Sequence, residues 1–405
     1  MSFGIALSGI SAAQADLNVT ANNIANANTT GFKQSRSEFS ELFAVSAQGV
    51  SKAQAGAGVK VADIARQFTQ GNIEATNNSL DLALSGQGFF ILSDAGASAY
   101  TRSGAFRTDN TGYVVNSAGQ RLQIYSPTTT GAFNTTALTD LHLVSGDSAP
   151  QATTSANVNF NLPSNATVPT VALFDPANNN SYNNSTSLTV YDSLGAAHTA
   201  SLYFVKTAAA NTWDTHLYVD GTAVGPTSTL QYTNTGALSL PAGGKVTFNT
   251  YTPATGAAGL GMTVDFSSST QYGNSFGVTA VSQDGFTTGR LIGINVDATG
   301  VVQARFTNGR SVSLGQVAIA NFANPQGLQP LGNTNWSETF GSGQALHGQA
   351  GNSGFGLIQS GSLEQSNVDI TAQLVHMIIA QRNFQANAQV ISTENQITQA
   401  IINLR

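Results

Sequence analysis

Cysteine is absent from all 405 residues, which excludes disulfides, thiolate metal sites and cysteine nucleophiles together. Charge is nearly as scarce. Asp, Glu, Lys and Arg make up 9% of the chain, against about 25% in an ordinary soluble domain. Asn, Ser, Thr, Gln and 41 Gly fill the gap, and such a surface can hydrogen-bond to its neighbours without repelling them. The 15 basic and 21 acidic residues leave a net charge of −6 with no basic run, so nucleic acid is not an expected partner. Long hydrophobic runs are missing as well. No stretch reaches the roughly 18 apolar residues that cross a bilayer, and the opening MSFGIALSGISAAQ has neither the basic flank nor the apolar core of a cleaved signal. Membrane insertion is not expected, and export would proceed without a cleaved signal peptide.

What the sequence does have is two matched ends. Stepping alternately four and three residues from Ile370 meets Leu374, Met377, Gln381, Phe384, Ala388, Ile391, Asn395, Thr398 and Ile402, the spacing of a coiled-coil seam. The same walk from Phe3 meets Leu7, Ile10, Gln14, Leu17, Ala21 and Ile24. Docking on a core of its own is the ordinary role of such a helix. Here, however, Ile378, Val390, Ile397 and Ile401 fall outside the seam and need further neighbours, each buried side chain contributing about 1.5–3 kcal/mol. Association with other copies of the chain meets that need. The seam residues expected to carry it are Phe3, Leu7, Ile10, Leu17 and Ile24 at one end and Ile370, Leu374, Met377, Phe384, Ile391 and Ile402 at the other.

Between the ends the period changes. The first helix should begin near Ser2 and stop in the run from Asn26 to Gly31, where Gly supplies a left-handed turn. Residues 31–70 read as an irregular connector, with Phe32, Phe39, Leu42 and Phe43 as anchors and AQAGAGVKV as a loop entering a strand. From Gly71, LDLALSGQGFFIL, AYTRSGAF, GYVVN and QRLQIY are short runs separated by DNTG and NSAG turns, the mark of antiparallel hairpins. SANVNFNL, TSLTVYDSLG, TASLYFVK and WDTHLYVDG form a charge-poor inserted β-domain. After Asp284, three strands separated by DATG and TNG turns complete the earlier sheet, and Ser366 with Asp369 reads as a capping box for the last helix.

The fold class is therefore multidomain, α plus all-β: paired, coiled-coil-like terminal helices flank nested antiparallel β-domains, the outer inserted into the inner. The expected domains are 1–30 plus 364–405 (helical), 31–70 (connector), 71–144 plus 284–363 (split inner β-domain) and 145–283 (inserted outer β-domain).

LNVTANNIANANTTGFK near the start resembles the N-terminal signature of bacterial flagellar rod and hook proteins, and SNVDITAQLVHMIIAQRNFQANAQVI their C-terminal one. SLDLALSGQGFFIL followed by YTRSGAFRTDNTGYVVNSAGQRL is similar to the segment opening their first β-domain, while VYDSLGAAHTASLYFVK, QDGFTTGRLIGINVDATG and ANFANPQGLQPLGNTNW resemble hook-type segments. The resemblance covers most of 1–144 and 284–405 and only patches between. It implies an extracellular subunit, exported by the flagellar type III apparatus, that polymerises with itself into the curved tube between rod and filament. The rod, the hook-filament junction proteins and the hook cap would be its partners, and its helices would line the channel. A distal rod-type axial protein is the alternative within the family.

Nothing in the sequence nominates catalysis or a cofactor. His142, His198, His216, His347 and His376 show no metal-ligand spacing. Gly86-Gln87-Gly88 lacks the third Gly of a dinucleotide fingerprint, because Ile91 occupies that position. The loop from Asp175 has Thr186 where an EF-hand requires Glu. Asp109, Asp192, Asp220 and Asp297 sit in turn sequences, and no carboxylate pair suggests a glycosidase. A secreted adhesin is a further alternative, with Trp213, Tyr203, Phe204 and Tyr218 as possible contacts.

Overall fold

The computed structural model describes residues 2–42, 56–129, 131–143, 146–352 and 354–403. They form two compact units, one comprising 1–145, 293–305 and 311–405 and the other 146–292 and 306–310.

The first unit holds both terminal helices, α1 (Ser2–Ala25) and α2 (Ile370–Asn403). Asn23 lies against Gln373, and a Cβ on Gly9 would come within 2.5 Å of the Asn387 amide. Contacts that run in opposite directions along the two helices make the pair antiparallel. α1 ends at a turn through Gly31, whose φ of +70° brings its backbone against Ser103 so closely that a Cβ would sit 2.5 Å from the Ser103 nitrogen. Glycine is required there. The connector, expected to be irregular, is an antiparallel ribbon of Ser35–Leu42 and Gly58–Arg66 packed on α1. Its polar face hides the strand alternation from the sequence; only Ser37 and Ala65 in it are buried. Phe39 is exposed, Phe32 and Leu42 are half-buried, and Phe43 lies outside the described residues.

The body of this unit is a sheet in which the long strand Ser311–Asn321 pairs with Val301–Phe306, Arg121–Pro127, Phe89–Asp94 and Leu346–Gln349. Both faces are covered, so its inner strands read as continuous apolar runs. Phe90, Leu92, Ile124, Val317 and Ile319 enter one core, and Phe89, Ile91, Tyr125, Ala318 and Ala320 the other. The strands Leu357–Ser360 and Ser362–Glu364 return beside Leu82–Ser85 and Ile73–Ala75 and deliver the chain to α2.

The second unit encloses a single core between two sheets. In the six-stranded sheet, Ala197–Lys206 and Thr212–Val219 alternate strictly between inward and outward residues, and Leu202, Phe204, Trp213 and Leu217 point inward. The five-stranded sheet is centred on Ser155–Pro163. It adds two short parallel pairings, with Thr263–Asp265 and Thr270–Tyr272, to the antiparallel ones, an order that alternation alone does not signal. Residues 284–292 belong to this unit because Gln151 pairs with Phe286 and Ser148 with Gly289, and because Asp284 accepts hydrogen bonds from the Thr154 and Ser155 amides.

Candidate functional site

The two ends of the chain meet at α1 and α2, and their side chains determine what the pair can do. The residues of α1 buried against its surroundings are mainly small: Ala6, Ala12, Ala13, Val19, Thr20 and Asn23. On α2 only Ala380 is buried, with Gln373, Met377, Phe384, Asn387, Ile391 and Glu394 half-buried along the same face. Of the expected seams, Ile10, Leu17 and Ile24 on α1 and Met377, Phe384, Ala388 and Ile391 on α2 lie at intermediate burial. Phe3, Leu7, Ile370, Leu374 and Ile402 are exposed. The seam is thus half used within one chain. Small residues such as Ala6, Gly9 and Ala13 let the helix backbones approach and take the other place in each heptad.

Much of the apolar side-chain surface of α2 is uncovered. Ile370, Leu374, Val375, Ile378, Ile379, Val390, Ile397, Ile401 and Ile402 are each 46–65% exposed. From Leu374 to Ala380 the helix is apolar on all sides except at His376, the pattern of a helix buried all round. No helix among the described residues is long and apolar enough to cross a membrane. An exposed apolar surface of this extent marks an interaction site.

The pair is fastened to the connector ribbon by polar groups. Asn23 is buried; its amide nitrogen donates to the Ser35 carbonyl at 2.8 Å and to Gln373 Oε1 at 3.1 Å, while its oxygen accepts from the Ser35 amide at 2.9 Å. Asn367 similarly bridges the Gln34 amide and the Gln67 carbonyl, each at 2.8 Å. α2 is capped by Asp369, whose Oδ1 accepts from the amides of Thr371 and Ala372 at 2.8 and 3.1 Å. Ser366, expected to be the cap, bonds the Val368 amide instead, because the helix begins at Ile370, three residues later than a capping box at Ser366 requires.

Beneath these contacts lies a fully buried ion cluster that sequence reading missed. Glu364 receives Lys33 Nζ at 2.6 Å, Arg102 Nη1 at 3.3 Å and the Gly71 amide at 2.9 Å. Lys33 also donates to the Thr69 carbonyl, and Arg102 to that of Gly86. Burial pushes the Lys33 ammonium and the Arg102 guanidinium below their ordinary values, and the Glu364 carboxylate opposes that shift. One hint was available: in so charge-poor a chain, a charged residue outside a turn needs a reason. Lys33 follows the exit of α1, Arg102 directly follows the strand Ala97–Thr101 and Glu364 precedes α2, so one carboxylate locks three distant segments.

Other chemistry-bearing groups have local roles. Asp109, Asp192 and Asp297 each accept backbone amides two and four residues on. Asp175 accepts the Ala177 amide, and Gly86 and Gly88 pack against Gly356 and Ile319 between strands. His198 lies between Asp220 at 2.6 Å and Asp192 at 3.2 Å. Among the described residues no group of three or more His, Asp or Glu is arranged to hold a metal. Of the aromatics considered for ligand contact, Trp213 and Phe204 are core residues. Tyr203 and Tyr218 cluster on the opposite face with Phe174.

Comparison with known proteins follows the same geography. Residues 3–33 match the family described as flagella basal body rod protein, and 359–404 the C-terminal family of flagellar basal body rod FlgEFG proteins. Residues 83–173 match the flagellar hook protein FlgE/F/G D1 domain, and 161–286 the flagellar basal body protein FlaE D2 domain. The flagellar hook protein FlgE of Salmonella typhimurium is 39% identical over 417 residues, covering 100% of both chains. That of Escherichia coli is 38% identical with the same coverage, and that of Borreliella burgdorferi 34% identical over 98% of each. In fold, the chain is similar to the Helicobacter pylori flagellar hook protein FlgE2, with a TM-score of 0.55 at 15% identity, over 72% of this chain and 100% of that one.

Proposed function

The chain belongs to the flagellar hook protein family, and from that premise we propose that it is the structural subunit polymerising with copies of itself into the hook, the curved tube that transmits torque from rod to filament. The observation that carries the assembly is the apolar surface of α2, unpaired in one chain from Ile370 to Ile402. A subunit joined to its copies through different surfaces builds an open helical array instead of a closed ring. The rod-type alternative shares the two terminal matches, but full-length similarity runs to hook proteins.

The assembly residues on this reading are Phe3, Leu7, Ile10, Leu17 and Ile24 with Ile370, Leu374, Met377, Phe384, Ile391 and Ile402. Ile10, Leu17, Ile24, Met377, Phe384 and Ile391 hold the pair together, while Phe3, Leu7, Ile370, Leu374 and Ile402 face neighbouring copies. Four working parts belong to the same reading: helices 1–30 plus 364–405, connector 31–70, inner β-domain 71–144 plus 284–363, and inserted domain 145–283, with 284–292 going with the inserted domain because Phe286 and Gly289 pair with Gln151 and Ser148. The rod, the hook-filament junction proteins, the cap and the type III export apparatus are its partners, and the assembled tube is extracellular. The role is structural, without catalysis or cofactor. Electron microscopy of the concentrated protein in a kosmotropic salt, which strengthens apolar burial, tests the reading. Tubes of uniform diameter are expected; monomers under all such conditions would contradict it.

A further inference from the structure

A second feature of the first unit has no partner. Phe340 is fully exposed, yet the loop that carries it is firmly built. Ser342, completely buried, accepts the Thr339 amide at 2.9 Å and donates to the Thr339 carbonyl at 2.9 Å. Thr339 Oγ1 donates to the Gly327 carbonyl at 2.6 Å, and Asn324 Nδ2 to that of Gly341 at 3.0 Å. Gly327 meets Gly341 so closely that a Cβ on it would lie 2.5 Å from the Gly341 carbonyl carbon. A benzyl group on a slack loop would fold onto the nearest apolar surface. Here the backbone holds it out in water.

We infer that Phe340 is a preformed anchor that buries in a second copy of this chain when copies associate; this rests on the assembly role proposed above. Two observations select a second copy as the occupant. The stretch 323–346 carries one charged residue, Glu338, in a chain of net charge −6, and that carboxylate is engaged by the Tyr100 hydroxyl and the Ala345 amide. The surroundings of Phe340 therefore present little like-charge repulsion to a copy that is itself acidic. The loop is also already ordered, so docking it costs little conformational freedom, the property required of a contact repeated throughout a polymer.

The test compares the full-length parent with Phe340→Ser and Phe340→Leu. Because the side chain touches nothing in the monomer, both variants should melt with the parent. Phe340→Ser should raise the critical concentration for tube formation about tenfold or more, and Phe340→Leu should stay near the parent. A photoreactive benzophenone side chain at position 340 should link two copies in tubes. Unchanged assembly of Phe340→Ser from a parent that does assemble, or crosslinks confined to one chain, would overturn the anchor alone. A parent that never assembles would remove the assembly role and the anchor with it.

Discussion

Glu364 shows most clearly what single residues contribute. Its partners Lys33 and Arg102 lie 331 and 262 residues away in sequence, so no local pattern reveals the cluster. Turn carboxylates such as Asp109 and Asp297 were legible because their partners are two and four residues on. Glu364→Ala would leave two buried cations unpaired, a loss of about 3–5 kcal/mol. Thermal melting of the monomer should show the first unit destabilised on that scale; a change under about 1 kcal/mol would mean that water or a shifted backbone replaces the carboxylate. His198 makes a pH-dependent contribution in the second unit. Burial alone would lower its pKa, but hydrogen bonds to Asp220 and Asp192 outweigh burial and raise it. Asp220 is held below the carboxylate range, first by His198 and then by the Thr199 amide. For Asp192, burial acts upward, but the Ala196 amide, His198 and the Leu194 amide outweigh it and lower the pKa. The His198 contribution is complete below its unfolded value of about 6.5 and is lost as pH rises through the raised folded value. The carboxylate contributions are lost as pH falls through their lowered values. His198→Asn should therefore flatten the decline in melting temperature of the second unit above pH 6.5, and an NMR titration of the ring should have its midpoint above 6.5. A midpoint at or below that value would refute the arrangement.

At the scale of elements, the helices were visible in the sequence from their period and their stops, but the face each turns to the other was only half visible. A walk of 3.5 residues marks two positions per heptad, whereas this pair uses one apolar position and gives the other to small or polar residues such as Gly9 opposite Asn387 and Asn23 opposite Gln373. Apolar periodicity cannot register a glycine that allows close approach. The connector ribbon escaped for a related reason, since its strands Ser35–Leu42 and Gly58–Arg66 carry mostly polar or half-exposed side chains. Leu17 and Ile378 consequently separate two functions. Leu17 is half-buried between elements and Ile378 faces outward. Leu17→Asp should loosen the helix pair in the free monomer, seen as lost far-ultraviolet helix signal and faster proteolytic trimming of both ends, while the sheets keep their melting temperature. Equal loss of the sheet transition would make α1 an integral core helix.

For the whole molecule, a bent tube requires subunits to sit closer on its inner curve than on its outer curve, so contacts between copies must be able to slide. A chain with 9% charged residues, rich in hydroxyls and amides, can exchange water-bridged contacts at small cost, and on the proposed reading the apolar helix faces would supply the cohesion. The order of the chain made nesting legible, because termini that meet require the strands between them to return. The parallel pairings of Ser155–Pro163 were not legible, since the spacing of short strands does not specify their neighbours. The central claim is that apolar residues left open in one chain are closed by its copies. Sedimentation of Ile378→Asp against the parent and Ile378→Leu, in assembly salt, tests it most directly. The account predicts an unchanged monomer melt for all three, tubes from the parent and Ile378→Leu, and none from Ile378→Asp at concentrations about tenfold higher. Tubes from Ile378→Asp at the parental critical concentration would contradict it.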